Sequence, residues 1–198
     1  MYKIEDNIEG ITGERLEAVI AQLPQWRQEV VRRYKFEGGR RESALAFRLL
    51  QRLVGEVFTD VDTNSIEFEI GEHGKPSLRN HPEVCFNISH CSRAVACIVD
   101  TVPVGIDIEC RGRYKHSLAA YCMSEKEMEW ITEMGDDAAN AETDLRFTTL
   151  WTQKEALLKL IGTGICDDVK TVLEQYGDKV VLTTVAKETY VCTTARYK

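Results

Sequence analysis

The sequence predicts an α+β fold of two like halves related by pseudo-twofold symmetry, and three observations lead there. A long helical pattern followed by a run of strand-like segments occurs twice along the chain. Pro103 separates the two occurrences, which puts the halves at residues 1–102 and 103–198. A length of 198 residues gives material for one sizeable domain or two small ones, with a substantial apolar core.

The elements follow in order. "EGITGERLEAVIAQLPQW" has the pattern of a short helix interrupted by Pro24, which lacks the amide a helix interior requires. In "RESALAFRLLQRLVGEVF", Leu45, Leu49, Leu50, Leu53 and Val54 fall on one helical stripe, and Arg41, Arg48 and Arg52 lie off it. "SIEFEI" alternates with period two and ends at a turn, "GEHGK". "VCFNIS" and "AVACIVD" predict a hairpin around "HCSR", and after Pro103 comes the strand "VGIDIE". "SEKEMEWITEM" predicts a helix opened by Ser124, with Glu127 three residues on to complete a capping box. "LRFTTLWTQKEALLKLIG" predicts a long helix stopped by Gly162 and Gly164. Strand-like segments follow: "VKTVLEQY", a "GD" turn, "KVVLTTVA" and "TYVCTTARY".

Composition narrows the function classes. Hydrophobic residues at 43% and charged residues at 29% are ordinary for a soluble globular protein. No apolar run is long enough to span a bilayer, and "MYKIEDNIEG" lacks a signal-peptide pattern. The seven cysteines have neither metal-ligand nor disulfide-framework spacing, which reads as reduced thiols in a cytoplasmic protein. A net charge of −7 argues against generic nucleic-acid binding. Residues 26–52 are nonetheless strongly basic, which suits either a local anionic ligand or a solvated helix face.

Four stretches carry chemistry. In "VGIDIE", Val104, Ile106 and Ile108 share one face of the strand, and Asp107 and Glu109 share the other. Two carboxylates this close repel, so either water screens them or a cation such as Mg²⁺ lies between them. In "LWTQKEALLK", helical spacing stacks Trp151, Glu155 and Lys159 a turn apart, while Lys154 leaves at another angle. An ordinary Glu–Lys pair and the mouth of a phosphate site both look like this. "HGKPSL" offers Gly74, Lys75 and Pro76, a plain turn or a loop that places a positive charge. "FNISHC" alternates Phe86 and Ile88 with Asn87 and Ser89, and leaves Ser89 and His90 at the strand end where sites gather.

Taken in order, "GKP", "FNISHC", "VGIDIE" and "WTQKEALLK" resemble the 4′-phosphopantetheinyl transferase superfamily, in its single-chain group acting on carrier proteins. The resemblance implies that fold and a transfer of the phosphopantetheine arm of coenzyme A onto a serine of an apo acyl or peptidyl carrier protein. It also implies a requirement for Mg²⁺ and release of adenosine 3′,5′-bisphosphate. Carried over motif by motif, Asp107, Glu109 and Glu155 would surround the metal, with Glu155 also the candidate base, and Lys159 would face the pyrophosphate. Lys75, Ser89 and His90 would contact the phosphates of coenzyme A, and Arg40 and Arg41 are candidates for its 3′-phosphate. The carrier protein would dock on residues 112–130, where Tyr121, Met123 and Trp130 are either anchors or core residues. The family also implies a monomer.

Two features depart from the family pattern. Cys91 follows His90 where the family has a small hydroxyl residue. The chain is short for the group, so C-terminal elaborations of longer relatives are expected to be absent. Two other readings use the same residues: a Mg²⁺-dependent phosphotransferase with another substrate, and a carrier-protein binder without turnover.

Overall fold

The computed structural model describes residues 1–137, 139–164 and 167–198. The chain opens with strand β1 (Tyr2–Asp6), then helices α1 (Gly13–Ala21), α2 (Gln25–Arg32) and α3 (Glu37–Val57). A short hairpin of β2 (Phe68–Ile70) and β3 (Pro76–Leu78) precedes β4 (Cys85–Cys91) and β5 (Ala94–Asp100). Next come β6 (Val104–Cys110), α4 (His116–Cys122), α5 (Glu125–Thr132) and α6 (Ala141–Ile161). The last elements are α7 (Val172–Tyr176), β7 (Val180–Ala186) and β8 (Tyr190–Tyr197).

Two three-stranded antiparallel sheets have the same internal order, β1-β5-β4 and β6-β8-β7. In each, the strand that opens the run pairs with the one that closes it. In each, a 21-residue helix supplies the apolar cover, α3 for the first sheet and α6 for the second. The stripe Leu45, Leu49, Leu50, Leu53 and Val54 is buried as its spacing predicts, against Val95, Cys97 and Val99 of β5. A third apolar cluster lies between the sheets, with Ala96 and Ile98 of β5 against Val104, Ile106 and Ile108 of β6. Tyr190 spans the same boundary, donating its hydroxyl to Asp6 Oδ2 at 3.1 Å.

The edges of the two sheets meet along β4 and β6 without a backbone ladder. Asn87 Oδ1 accepts the amide of Ile106 at 3.0 Å, and Ser89 Oγ accepts the amide of Ile108 at 3.2 Å. Both pairs are offset by 19 residues, so the strands run parallel there. Side chains thus satisfy edge amides that would otherwise be buried unpaired.

Several elements differ from the sequence expectation. "VKTVLEQY" is not a strand: it forms a 3₁₀ turn and α7, and "GD" lies in a further 3₁₀ turn rather than a hairpin. Its branched residues imitate a strand, but Val172, Leu173 and Tyr176 have helical spacing and pack toward α6. Pro24 does not so much interrupt a helix as start one, as the residue before α2. "SIEFEI" keeps only three residues as strand, while β1 and α4 were not expected. The predicted hairpin is present as β4 and β5, and so are the capping box at Ser124 and a left-handed Gly162 ending α6.

Candidate active site

The site exists because a helix lies directly on a strand. A Cβ on Gly105 would come 2.0 Å from the Ala156 carbonyl oxygen and 2.7 Å from the Leu160 nitrogen. Only glycine lets α6 approach β6 so closely. Ala156 is flanked on α6 by Glu155 and, one turn on, by Lys159, so the contact carries both over Asp107, two residues beyond Gly105. The acidic face of "VGIDIE" is therefore covered by protein rather than wetted by solvent: Asp107 is 3% exposed.

Lys159 Nζ donates to Asp107 Oδ1 at 2.5 Å and to Ser89 Oγ at 3.1 Å. Ser89 Oγ donates to Asp107 Oδ1 at 2.8 Å and accepts the Ile108 amide. Its hydroxyl capacity is thus fully used. The carboxylates are less well served. Asp107 Oδ2 and Glu155 Oε1 are buried with no hydrogen-bond partner. Burial, then the charge of Asp107, pushes the Glu155 carboxyl up to about 7 against the opposing pull of Lys159. Burial and Asp107 also raise Glu109, and Arg113, 2.9 Å away, and the Trp151 indole work the other way.

Two orphaned oxygens on crowded acidic groups are what a hard cation would satisfy, and all three side chains offer the oxygen donors that Mg²⁺ takes. The donor set fits. As placed, however, no group of three or more His, Cys, Asp or Glu side chains among the described residues is drawn together tightly enough to hold a metal ion. Lys159 engages Asp107, and Arg113 engages Glu109.

The remaining expected residues lie around this centre. Lys75 Nζ donates to the carbonyls of Lys159 at 2.6 Å and Leu160 at 3.2 Å, so its charge caps the C-terminal end of α6. Burial lowers its pKa. Lys75, Asn87 and Lys159 line a cleft of about 210 Å³. His90 is half-exposed, its Nδ1 3.1 Å from Glu42 Oε2, at one end of a cleft of about 410 Å³ walled by Trp26, Tyr34, Phe68 and Ile70. Glu109, Arg113 and Trp151 line a third, of about 160 Å³.

Arg40 and Arg41 are not brought to Asp107. Arg41 is buried and reaches the Glu9 carbonyl at 3.4 Å, Arg40 is half-buried, and the Nε of each is unpartnered. Of the carrier-facing candidates, Met123 belongs to the core, whereas Tyr121 is 74% exposed and Trp130 is exposed beneath the Arg146 guanidinium.

Three residues matter to the site that sequence reasoning passed over. Gly105 carried a readable signal, a lone glycine inside a strand. Asn87 shares the alternation phase of Ser89, which placed it on the same face. Lys154, which the sequence placed at another angle from the Trp151–Glu155–Lys159 stripe without a role, is fully buried, bonded to Glu127 at 2.8 Å and to the carbonyls of Val169 and Lys170. Nothing in its local pattern distinguishes it from a solvated lysine.

Comparison with known proteins agrees with this architecture. A family model described as "4'-phosphopantetheinyl transferase, N-terminal" matches residues 12–101, and one described as "4'-phosphopantetheinyl transferase superfamily" matches residues 103–195. The 4'-phosphopantetheinyl transferase Sfp of Bacillus subtilis is 28% identical over 155 residues, covering 78% of this chain and 67% of that protein. The psf-1 transferase of Bacillus pumilus is 32% identical over 133 residues, covering 67% of this chain and 55% of its own length. The L-aminoadipate-semialdehyde dehydrogenase-phosphopantetheinyl transferase of Saccharomyces cerevisiae is 28% identical over 141 residues, 66% of this chain and half of that protein. The chain thus corresponds to between half and two-thirds of these relatives. Two models of one superfamily run from residue 12 to residue 195 with a single residue between them, and the chain belongs to the 4′-phosphopantetheinyl transferase superfamily.

Proposed function

We propose that this chain transfers the 4′-phosphopantetheine group of coenzyme A to a serine hydroxyl of an apo acyl or peptidyl carrier protein, with Mg²⁺, and releases adenosine 3′,5′-bisphosphate. The observation that carries the proposal is the meeting of Glu155 and Lys159 of α6 with Asp107 of β6, two buried carboxylate oxygens being left unpartnered. Asp107, Glu109 and Glu155 would hold the Mg²⁺. Bound there, the ion would neutralise charge on the pyrophosphate as the bisphosphate leaves.

The chain's own groups do the rest. Lys159 adds a positive charge beside the pyrophosphate, where displacement at phosphorus concentrates negative charge. Glu155 is the candidate to accept the serine proton, its carboxyl being raised to about 7 by burial and by Asp107 in the metal-free chain. Ser89 fixes Asp107, while Lys75 and His90 border the clefts in which the phosphates would lie. The aromatic walls of the His90 cleft suit the flat face of a purine. Arg40, half-buried, stays a candidate for the 3′-phosphate, and Arg41, buried and turned to the Glu9 carbonyl, is the weaker one.

The division into halves at 1–102 and 103–198 belongs to the same reading, supported by the repeated strand order. So does a monomer, because two halves in one chain supply both walls of the cleft. A cytoplasmic setting is supported by the free thiols of the six described cysteines; Cys166 lies outside the described residues. No helix among the described residues is long and apolar enough to cross a membrane.

The test is mass spectrometry of an apo carrier protein incubated with the chain, coenzyme A and Mg²⁺. The expected result is a mass gain of one phosphopantetheine on the carrier's serine. A carrier that is bound but never modified would overturn the reading in favour of a binder without turnover.

A further inference from the structure

The β4–β6 seam has a third rung. Asn87 meets Ile106 and Ser89 meets Ile108 at an offset of 19 residues, and the same offset carries Cys91 to Cys110. Cys110 packs against the apolar cluster that contains Cys91, and the two thiols interact across the seam. Among the described residues no other two cysteine side chains are paired in this way. Cys91 is 7% exposed, whereas Cys110 is half-buried, its sulfur 3.3 Å from Ser92 Oγ and faced by the amides of Ser92 and Arg93. Cys110 also lines an open cleft of about 610 Å³ with Arg93 and Arg111, through which a small solute can reach it. One thiol is therefore accessible and its neighbour sheltered.

We propose that Cys91 and Cys110 form a reversible oxidation site, at which hydrogen peroxide closes a disulfide between β4 and β6. The Cys110 sulfur attacks one peroxide oxygen, the O–O bond breaks, and water leaves with the thiol's proton, giving a sulfenic acid. The Cys91 sulfur then attacks that sulfur, an S–S bond forms, the S–O bond breaks, and a second water leaves. Two thiols and one peroxide thus give one disulfide and two waters, the sulfurs losing the two electrons that reduce the peroxide. The bond would covalently join the strand bearing Ser89 to the strand bearing Asp107. It is specific to a chain with cysteine after the strand-end histidine. It stands apart from the transferase reading, and its test requires no activity.

The test is to treat the reduced full chain with hydrogen peroxide, block remaining thiols with an alkylating agent, digest it and map the cysteines by mass spectrometry. The expected result is a peptide pair joined through Cys91 and Cys110, with the free-thiol titre lowered by two per chain and restored by a dithiol reductant. In Cys91→Ser, Cys110 should instead proceed to sulfinic acid, which the dithiol does not reverse. In Cys110→Ser, Cys91 should stay alkylatable. Wild-type chain in which both residues stay alkylatable, or in which Cys110 becomes sulfinic acid with Cys91 free, would overturn the proposal. Linkage of either residue to a different cysteine would overturn it as well.

Discussion

Glu155 is the residue at which charge, burial and proposed chemistry pull hardest against one another. The unfolded chain releases its proton near the ordinary value of 4.5, whereas the folded chain keeps it until about 7. Between those values the folded state holds the extra proton, so the contribution of this group to stability is complete below pH 4.5 and is lost as pH rises through 7. The span corresponds to at most roughly 3–4 kcal/mol, which solvent screening of this half-buried carboxyl reduces. Glu155→Gln should therefore flatten the loss of stability from pH 5 to 8 in denaturant titrations without metal. In steady-state assays it should lower turnover about a hundredfold or more, as removal of an acid–base group does. Near-normal turnover would take Glu155 out of the base role, and an unchanged pH profile of stability would deny it the raised pKa. The site was partly legible at this scale. Asp107, Glu155, Lys159 and Ser89 lie in short motifs with a fixed phase, and the structure brings them together. Arg41 was not legible, because whether an arginine at a helix start faces a ligand or a carbonyl depends on the packing of distant Glu9.

Among the elements, α6 and β6 decide whether the acidic groups meet. Gly105→Ala places a methyl carbon 2.0 Å from a backbone oxygen that cannot rotate aside, so α6 must lift from β6. We expect a loss of about 3 kcal/mol or more in chemical unfolding, above the usual range for overpacking because backbone must move. Whatever fraction folds should have lost most of its turnover. A variant as stable and active as the parent would mean that the helix does not rest on the strand. Lys154 anchors the same helix from the other side, tying it to the Ser124–Glu127 capping box and to the turn before α7. The long helices and the β4–β5 hairpin were readable because periodicity over many residues outweighs local noise. The segment "VKTVLEQY" was not. Valine, threonine and tyrosine favour strands, and only contact with α6 decided for a helix.

For the whole molecule, the repeat explains why a cleft forms at all. Each sheet has one edge strand, β4 or β6, turned toward the other, and a shared apolar cluster locks the pair behind that seam. The first unit contributes Ser89 and His90 from the end of β4, and the second contributes Asp107, Glu109, Glu155 and Lys159. In the basic region 26–52, read from sequence as either a patch for an anionic ligand or a solvated helix face, three arginines are engaged by neighbouring side chains or backbone. Arg27 bonds Ser43, Arg32 pairs with Glu17, and Arg48 pairs with Glu5. The pyrophosphate of the proposed substrate would lie at the seam, beside Lys75 and Lys159. The measurement that tests this most directly is a crystal structure of the chain with coenzyme A and Mg²⁺. The account predicts one ion contacted by Asp107 and Glu155, the pyrophosphate beside Lys159, and the nucleotide end in the cleft next to His90. An ion and diphosphate bound elsewhere, with Asp107 still held by Lys159 and Ser89, would contradict it.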